Sequence, residues 1–156
     1  MITQYEIALA SSSDAMAIAE LSRDAIEYGL AWRWTARRVA RSVRDSETNV
    51  VVAREGGRFL GFAIMKYQEE EAHLLLLAVQ APQRRRGVGS ALLDWLEATV
   101  RAAGMTTIRL ETRAGNGAAL AFYEHHGFQA IARQNGYYDG VEDALGLVKD
   151  LSRATQ

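Results

Sequence analysis

The segment Arg84-Arg85-Arg86-Gly87-Val88-Gly89-Ser90 combines three cations with two glycines and could hold an anion. It lies between an apolar run and a stretch of helical periodicity. Glycines let the backbone approach a ligand because no Cβ stands in the way. The first amides of a helix lack internal acceptors and lie at the positive end of its dipole. The segment therefore predicts a pyrophosphate site made of main-chain amides, with arginine side chains adding charge.

Two glycines alone are weak evidence for a phosphate site, so the surrounding residues have to decide. A Rossmann fingerprint needs a third glycine, and a Walker loop needs Gly-Lys followed by Ser or Thr. Neither pattern is present in this segment. The sequence therefore excludes both of these phosphate loops.

The cysteine and histidine content limits the other chemistry that is available. The chain has no cysteine, which excludes a disulfide framework and a thiol nucleophile. Its three histidines, His73, His125 and His126, do not form a convincing metal set, and no metal is expected. His125 and His126 fall at the end of a predicted helix, where a partly charged imidazole suits the dipole. This capping role is favoured over that of a catalytic base.

Hydrophobic periodicity predicts the elements that position these residues. A short strand over 4–10 is followed by a helix over 14–28 with Ser13 as its N-cap. Thr35 is expected to cap a second helix. Two strand-like runs on either side of the glycine turn at 55–57 predict a hairpin.

The second half of the chain alternates strands and helices. The apolar run 73–79 lacks alternation, which is typical of a central strand covered on both faces. A helix over 88–103, a strand over 106–112 and a helix over 118–126 follow, and two strands end the pattern. The order βααβββαβαββ predicts an α/β (α+β) fold with a mixed sheet. No linker interrupts residues 1–156, so a single domain is expected.

The composition fits a folded domain and excludes several classes of function. Of the 156 residues, 49% are hydrophobic, which supports a real core. The net charge of −1 argues against a general nucleic-acid binder. The first residues lack the features of a signal peptide, and no run of about 20 apolar residues could span a membrane. A cytoplasmic protein without membrane association is therefore expected.

Two motifs resemble those of the GNAT acetyltransferases. The first is R-x-x-G-x-G after an apolar strand, followed by Ala91-Leu92-Leu93, which is similar to that family's coenzyme A signature. The second is LETRAGNGAALAFYEHHGF (110–128). Residues 49–149 carry the likeness, and Tyr137-Tyr138-Asp139-Gly140-Val141-Glu142-Asp143-Ala144 resembles the bacterial ribosomal-protein alanine N-acetyltransferases and related Nα-acetyltransferases. The resemblance implies a mostly antiparallel central sheet flanked by helices, and acetyl-CoA as co-substrate.

The resemblance also implies how the donor is held. The end of the apolar strand would present backbone groups to the pantetheine arm. The glycine turn at 84–90 would bind the pyrophosphate. An asparagine would hydrogen-bond the pantetheine, and a tyrosine would lie near the sulfur. The donor-binding residues implied in this way are Leu77, Ala78, Val79, Arg84, Arg85, Arg86, Gly87, Val88, Gly89, Ser90, Asn116 and Tyr123.

Acetyl transfer needs two groups that move protons, because an ammonium cannot attack and the leaving thiolate must be stabilised. Glu111 is the predicted base, since burial in an apolar strand can raise the pKa of a carboxyl toward neutrality. The alternative is a structural carboxylate paired with Arg109, Arg113 or a backbone amide. Tyr123 is the predicted acid, since a phenol is protonated at neutral pH. Its alternative role is packing beside Phe122.

Aromatic residues predict the groove that receives the amine acceptor. Trp32 and Trp34 lie between the first two helices, a region that lines this groove in the family. Tyr137 and Tyr138 would form the other wall, although tyrosines at that place could instead pack on the sheet edge.

Three functions are compatible with these residues. The two aromatic pairs favour a peptide or protein N-terminus as acceptor. Its amine would attack the thioester directly in a ternary complex, because the chain has no cysteine that could carry the acetyl group. A small-molecule amine, such as a polyamine, an amino acid or an aminoglycoside, is the second candidate. A non-catalytic acyl-CoA sensor is the third. The protein is expected to be a monomer or a homodimer.

Overall fold

The computed structural model describes residues 5–84 and 87–152. Within these ranges, seven strands and four helices follow one another in the predicted order, with short 3-10 turns at Ser12–Asp14 and Ala81–Gln83. The strands are β1 (Glu6–Leu9), β2 (Thr48–Glu55), β3 (Arg58–Tyr67), β4 (Glu71–Val79), β5 (Thr107–Arg113), β6 (Gln129–Tyr138) and β7 (Glu142–Asp150). The helices are α1 (Ala15–Ala25), α2 (Ala36–Arg44), α3 (Val88–Ala102) and α4 (Gly117–His125).

The strands form a single sheet in the order β1-β2-β3-β4-β5-β7-β6. Neighbours are antiparallel except β4 and β5, which are parallel. A parallel pair requires a crossover connection, and α3 supplies it. The prediction of a mixed, mostly antiparallel sheet flanked by helices is confirmed.

Helices cover both faces of the sheet and produce two apolar cores. On one face, α1 and α2 bury Ile18 and Val39 against Phe62 of β3. On the other face, α3 buries Leu92 against Ile108 of β5. All five side chains are fully buried, and each burial contributes about 1.5–3 kcal/mol. None of the helices in the described ranges is long and apolar enough to cross a bilayer.

Strand β4 changes face half-way along its length. Its register with β3 shifts between Leu74 and Leu76, which leaves Leu75 as the extra residue of a β-bulge. Because side chains alternate with a period of two, one extra residue reverses the faces of the strand. Leu74 therefore lies in the core beneath α3, whereas Leu76 lies in the core beneath α1 and α2.

The first helix begins and ends differently from the prediction. Ser13 is not an N-cap, because the turn before α1 is capped at Ser11, whose amide donates to the Asp14 carboxylate at 2.9 Å. The helix ends at Ala25. Thr35 caps α2 as predicted, since its hydroxyl accepts the amide three residues later at 3.4 Å.

Candidate active site

The parallel strands β4 and β5 separate toward their carboxyl ends and open a cleft in the sheet. Their backbone pairing runs from Glu71 opposite Thr107 to Leu74 opposite Leu110 and then stops. Beyond that point the remaining residues of both strands line a cavity of about 1500 Å³. Because the two strands no longer pair with each other there, their facing amides and carbonyls can bind a ligand.

Most of the predicted donor-binding residues meet at this cavity. Val88 is an exception because its side chain is 1% exposed and packs in the core beneath α3, so that only its main chain can contribute. Arg85 and Arg86 lie outside the described residues. The residues that line the cavity are Leu77, Ala78, Val79, Arg84, Gly87, Gly89, Ser90, Asn116 and Tyr123.

The glycine turn has the geometry of an anion site. Gly87 is the N-cap of α3 and adopts a left-handed conformation with φ of +86°. The first bond of the helix joins the Ala91 amide to the Gly87 carbonyl at 3.0 Å. The amides of Val88, Gly89 and Ser90 therefore have no helical acceptor and lie at the positive end of the dipole. Such a helix start favours a phosphate group.

The ring of Phe122, on α4, packs against the backbone of this turn. A Cβ at Gly89 would lie 3.2 Å from a ring carbon of Phe122, which is closer than an ordinary van der Waals contact. A side chain at this position would therefore require the Phe122 ring to shift by a few tenths of an ångström. The predicted importance of Gly89 thus has a packing reason as well as a ligand reason.

Two polar side chains extend the donor side of the cavity. Asn116 is the N-cap of α4, where its Oδ1 accepts the Ala119 amide at 3.1 Å. The amino group of Asn116 keeps its capacity to donate to a ligand. Arg84 donates from Nε to the Val79 carbonyl at 3.3 Å, which ties the glycine turn to the end of β4.

Tyr123 is buried beside the cavity with 8% of its surface exposed. The rings of Phe122 and Phe128 contact it edge-on, with centroids at 5.1 and 5.5 Å. Burial raises the pKa of Tyr123 above its ordinary value, and the nearby Tyr138 adds to the shift. The phenol is therefore protonated at neutral pH, as a proton donor must be.

Glu111 lines the cavity from β5, but the expected rise of its pKa is wrong. The hydrogen bond from His73 holds the pKa of Glu111 below its ordinary range, and the charge of Arg109 acts in the same direction, although burial opposes both. His73 Nε2 donates to Oε1 at 2.6 Å, and Arg109 Nη1 donates to Oε2 at 3.1 Å. Glu111 is therefore an ionised carboxylate at neutral pH. The predicted pairing with Arg109 exists alongside its place in the cavity.

His73 is the member of this cluster that the sequence analysis did not identify. It lies on β4 directly opposite Arg109 of β5, and its side chain lines the cavity. The signal was a histidine at the start of the apolar run 73–79, on a strand that was predicted to be central. Its significance depends on the parallel pairing of β4 with β5, because 38 residues separate His73 from Glu111.

Arg113, the other predicted partner of Glu111, is engaged elsewhere. Its Nη2 donates to the Tyr28 carbonyl at 2.6 Å and lies 3.3 Å from the Glu142 carboxylate. The guanidinium also lies over the Tyr28 ring at 4.1 Å. Arg113 therefore anchors the loop that follows α1 against β5.

Three of the four aromatic residues predicted to contact the acceptor line the cavity. Tyr137 and Tyr138 form a T-shaped pair with centroids 4.9 Å apart. Trp34 also lines the cavity, and the guanidinium of Arg38 lies over its ring at 3.8 Å. The cavity thus has aromatic side chains on two separate segments.

Trp32 does not line the cavity, contrary to the prediction. Its indole Nε1 donates to the Ala19 carbonyl at 3.2 Å, and Arg23 lies over its ring at 5.2 Å. Both contacts hold the side chain against α1. The prediction placed Trp32 correctly in the loop between the helices but not on the correct side of it.

Two carboxylates that the sequence analysis missed fix the loop carrying Trp34. Glu27 is 7% exposed, and its Oε1 accepts the amides of Arg33 and Trp34 at 2.7 and 3.2 Å. Asp139, in the β6–β7 turn, accepts the Ala31 amide at 2.9 Å and the Arg33 guanidinium. Asp139 therefore joins the two segments that carry the aromatic walls.

The histidine pair at the end of α4 also differs from the prediction. His125 and His126 both line the cavity. Burial lowers the pKa of His126, and its Nε2 bonds to Ser90 Oγ at 2.9 Å. His126 does occupy the predicted C-cap of α4, but its lowered pKa leaves it with less charge than predicted, and its side-chain bond runs to α3.

Known proteins share both the sequence pattern and the fold. Residues 14–128 match the Acetyltransferase (GNAT) family. Over 125 residues the chain is 34% identical to the [ribosomal protein bS18]-alanine N-acetyltransferase of Escherichia coli (strain K12). The aligned region covers 78% of this chain and 84% of that protein.

Two solved structures have the same architecture. Ard1 from Thermoplasma volcanium superposes with a TM-score of 0.84 at 28% identity, covering 94% of this chain and 97% of that one. The ribosomal-protein-S18-alanine N-acetyltransferase from Escherichia coli superposes with a TM-score of 0.82 at 29% identity. This superposition covers 98% of this chain and 97% of that one. The match of residues 14–128 spans most of the chain, from the turn before α1 to the end of α4. The chain therefore belongs to the GNAT family of acetyltransferases, whose acetyl donor is acetyl-CoA.

Proposed function

We propose that this protein transfers the acetyl group of acetyl-CoA to the α-amino group of a peptide or protein N-terminus. The observation that carries the proposal is a single cavity, lined by the glycine turn, by Glu111 with His73, and by aromatic residues on two segments. The Escherichia coli relative, 34% identical, is named for acetylating an alanine of ribosomal protein bS18. An aromatic-walled groove beside the transfer site suits a short length of polypeptide.

The donor would lie in the cleft between β4 and β5. The amides of Val88, Gly89 and Ser90 would bind the pyrophosphate, since they have no helical acceptors. The pantetheine arm would run along residues 77–79 of β4, whose backbone no longer pairs with β5. The amino group of Asn116 would hydrogen-bond the pantetheine from the other side of the cleft.

The lowered pKa of Glu111 determines which proton it takes. An α-ammonium has a pKa of about 7.7–8.0, so a carboxylate of lowered pKa is too weak a base to deprotonate it in advance. The amine therefore attacks the thioester carbonyl in its neutral form. As the nitrogen–carbon bond forms, the nitrogen becomes strongly acidic, and Glu111 accepts its proton directly or through water. His73 and Arg109 hold the carboxylate in place for this step.

The tetrahedral intermediate then collapses, and the carbon–sulfur bond breaks. The electron pair goes to the sulfur, and the thiolate takes a proton from the Tyr123 hydroxyl, which solvent later restores. The products are the N-acetylated amine and free coenzyme A.

A coenzyme A release assay tests the proposed acceptor class. It would compare N-terminal peptides with polyamines and free amino acids under the same conditions. Turnover is expected to be fastest with peptides, and an N-terminally blocked peptide should give none. Turnover with polyamines alone would overturn the proposal in favour of a small-molecule acceptor, and binding of acetyl-CoA without any turnover would favour a sensor.

Trp34→Ala is expected to raise the KM for a peptide acceptor by roughly tenfold, because truncating a contacting tryptophan commonly costs 1–2 kcal/mol of binding. The Kd of acetyl-CoA, measured by calorimetry, should stay within about twofold. Trp32→Ala is the matched control, since Trp32 lies in the same loop but outside the cavity. Equal effects of the two variants on KM would contradict the assignment of the groove.

Tyr123→Phe is expected to lower kcat by at least about tenfold, because positioned proton transfer contributes roughly 10²–10⁴-fold and water can replace part of it. The measurement is steady-state kinetics at saturating acetyl-CoA. Tyr67→Phe is the control, since it removes a hydroxyl that bonds to Asn49 and Thr99 and does not line this cavity. Unchanged kcat in Tyr123→Phe would reduce Tyr123 to a packing residue.

A further inference from the structure

A hydrogen bond at the donor end of the cavity joins α3 to α4, and the transfer chemistry described above does not use it. Nε2 of His126, the C-cap of α4, lies 2.9 Å from Oγ of Ser90 in the first turn of α3. Both side chains line the cavity. The His126 ring also packs on Phe122 with centroids 4.7 Å apart. The imidazole is therefore fixed against the turn whose free amides suit a phosphate.

Charged groups of both signs surround the His126 imidazole. Asp94 and Glu97 face it from α3, Lys149 from β7 and His125 from its own helix. Glu97 and Lys149 neutralise each other in an ion pair of 2.9 Å. Burial has the largest influence and lowers the pKa of His126, so the free protein holds a mostly neutral imidazole at pH 7.

The direction of the bond between His126 and Ser90 decides what Ser90 can offer to a ligand. A serine hydroxyl has a single hydrogen. When Nε2 carries a proton, it donates to Oγ, and the hydroxyl hydrogen is free for a ligand. When Nε2 carries no proton, the hydroxyl donates its only hydrogen to the ring and has no hydrogen left for a ligand. A phosphate oxygen only accepts hydrogen bonds, so it selects the first arrangement.

We infer that His126 is a positioning residue for the donor, which donates from Nε2 to the Ser90 hydroxyl and thereby directs that hydroxyl to the pyrophosphate of acetyl-CoA. The inference rests on the proposed donor site at the amino end of α3. It gives the histidine pair unequal roles, because His125 has no such bond to the glycine turn among the described contacts. It also adds a side-chain hydroxyl to the main-chain amides of Val88, Gly89 and Ser90.

A bound phosphate also favours the imidazolium, which keeps Nε2 protonated and adds a positive charge. Binding therefore raises the pKa of His126, and the complex takes up a proton. By linkage, the affinity for coenzyme A rises as the pH falls through the pKa of the complex, and it levels off below the pKa of the free protein. Above both values this contribution is lost.

Calorimetric titration with coenzyme A tests the coupling between the two side chains. Ser90→Ala and His126→Ala are each expected to raise Kd by roughly tenfold, as for a lost hydrogen bond to a charged group. The double variant should be no weaker than either single variant, because both act on one contact. Glu124→Ala, on the same helix but outside the cavity lining, is the control and should stay within about twofold. Additive losses in the double variant would overturn the inference.

Proton uptake separates this role from simple packing. His126→Gln retains a donor at the position of Nε2 but cannot titrate. The wild type should take up protons on binding coenzyme A between pH 6 and 7, measured in buffers of different ionisation enthalpy, whereas His126→Gln should not. Equal uptake in both proteins would overturn the inference. If the wild type bound no coenzyme A, the proposed donor site itself would fail, which is a different result from uncoupled binding.

Discussion

Glu111→Gln is expected to lower kcat by roughly 10²–10³-fold, because it removes the group that accepts the proton of the attacking nitrogen. Glutamine keeps the shape of the side chain and can still bond to His73, so the fold should be unaffected. The Kd of acetyl-CoA should change by less than about twofold, since the donor is held elsewhere in the cavity. Single-turnover kinetics with a saturating peptide acceptor would measure the loss directly.

Glu71→Gln is the matched control for this variant. Glu71 also bonds to Arg109, but it does not line the cavity. Its replacement should leave kcat within about threefold, because it removes a carboxylate from the same network without touching the reaction. A comparable loss in both variants would mean that Glu111 acts by holding Arg109 rather than by accepting a proton.

The pH dependence should separate the amine from the carboxylate. Because the pKa of Glu111 is lowered, its carboxylate is ionised throughout the range from pH 6 to 9 and is lost only in acid, below its ordinary value of 4.5. The rising limb of activity near neutrality therefore belongs to the acceptor amine. In Glu111→Gln the profile should fall in height without moving its midpoint. Disappearance of the limb would instead show that Glu111 itself titrates near neutrality.

Gly89→Asp is expected to abolish the stabilisation of the protein by acetyl-CoA. A ligand at 100 times its Kd stabilises the native state by about 2.7 kcal/mol, which raises Tm by roughly 5–10 °C in a protein of this size. The aspartate would place a negative charge beside the pyrophosphate and a Cβ 3.2 Å from the Phe122 ring. Thermal melts with and without acetyl-CoA would measure the effect.

Gly117→Asp provides the control for the glycine variant. Gly117 also begins a helix, but a Cβ there meets no atom within 4 Å, and the residue does not line the cavity. The Gly117→Asp variant should therefore retain the full rise in Tm that acetyl-CoA causes. Gly89→Ala, which adds a Cβ without charge, separates the steric from the electrostatic effect. A full shift in Gly89→Asp would place the phosphates elsewhere in the protein.

The order of elements was predictable because the local signals agree with one another. Thr35 caps a helix by its own chemistry, and the glycine turn at 55–57 joins two runs that are apolar and β-branched. The helix start after the glycine turn at 84–90 was predictable in the same way, because a strand, two glycines and a run of helical periodicity follow one another in the sequence. These features depend on residues that are close in sequence.

The features that were not predicted depend on contacts between distant residues. The pKa of Glu111 is set by His73, which the parallel pairing of β4 and β5 brings alongside. Trp32 and Trp34 are two residues apart, and only the contact of Trp32 with Ala19 decides which of them faces the cavity. Asp139 meets Ala31 across 108 residues of sequence. The local sequence around each of these residues does not predict which distant residue it contacts.

The bulge at Leu75 makes the donor cleft sensitive to the number of residues in β4 more than to their identity. Exchanging one leucine of this run for another aliphatic residue leaves the alternation of the strand in phase. Deleting Leu75 would leave Leu74, Leu76 and Leu77 on their present faces but would remove the bulge and the bend that it gives the strand. The pairing of β4 with β5, which now stops at Leu74, would then be free to continue into the cleft. Among related chains, a one-residue gap in this strand would therefore signal a rebuilt donor cleft, whereas several aliphatic substitutions would not.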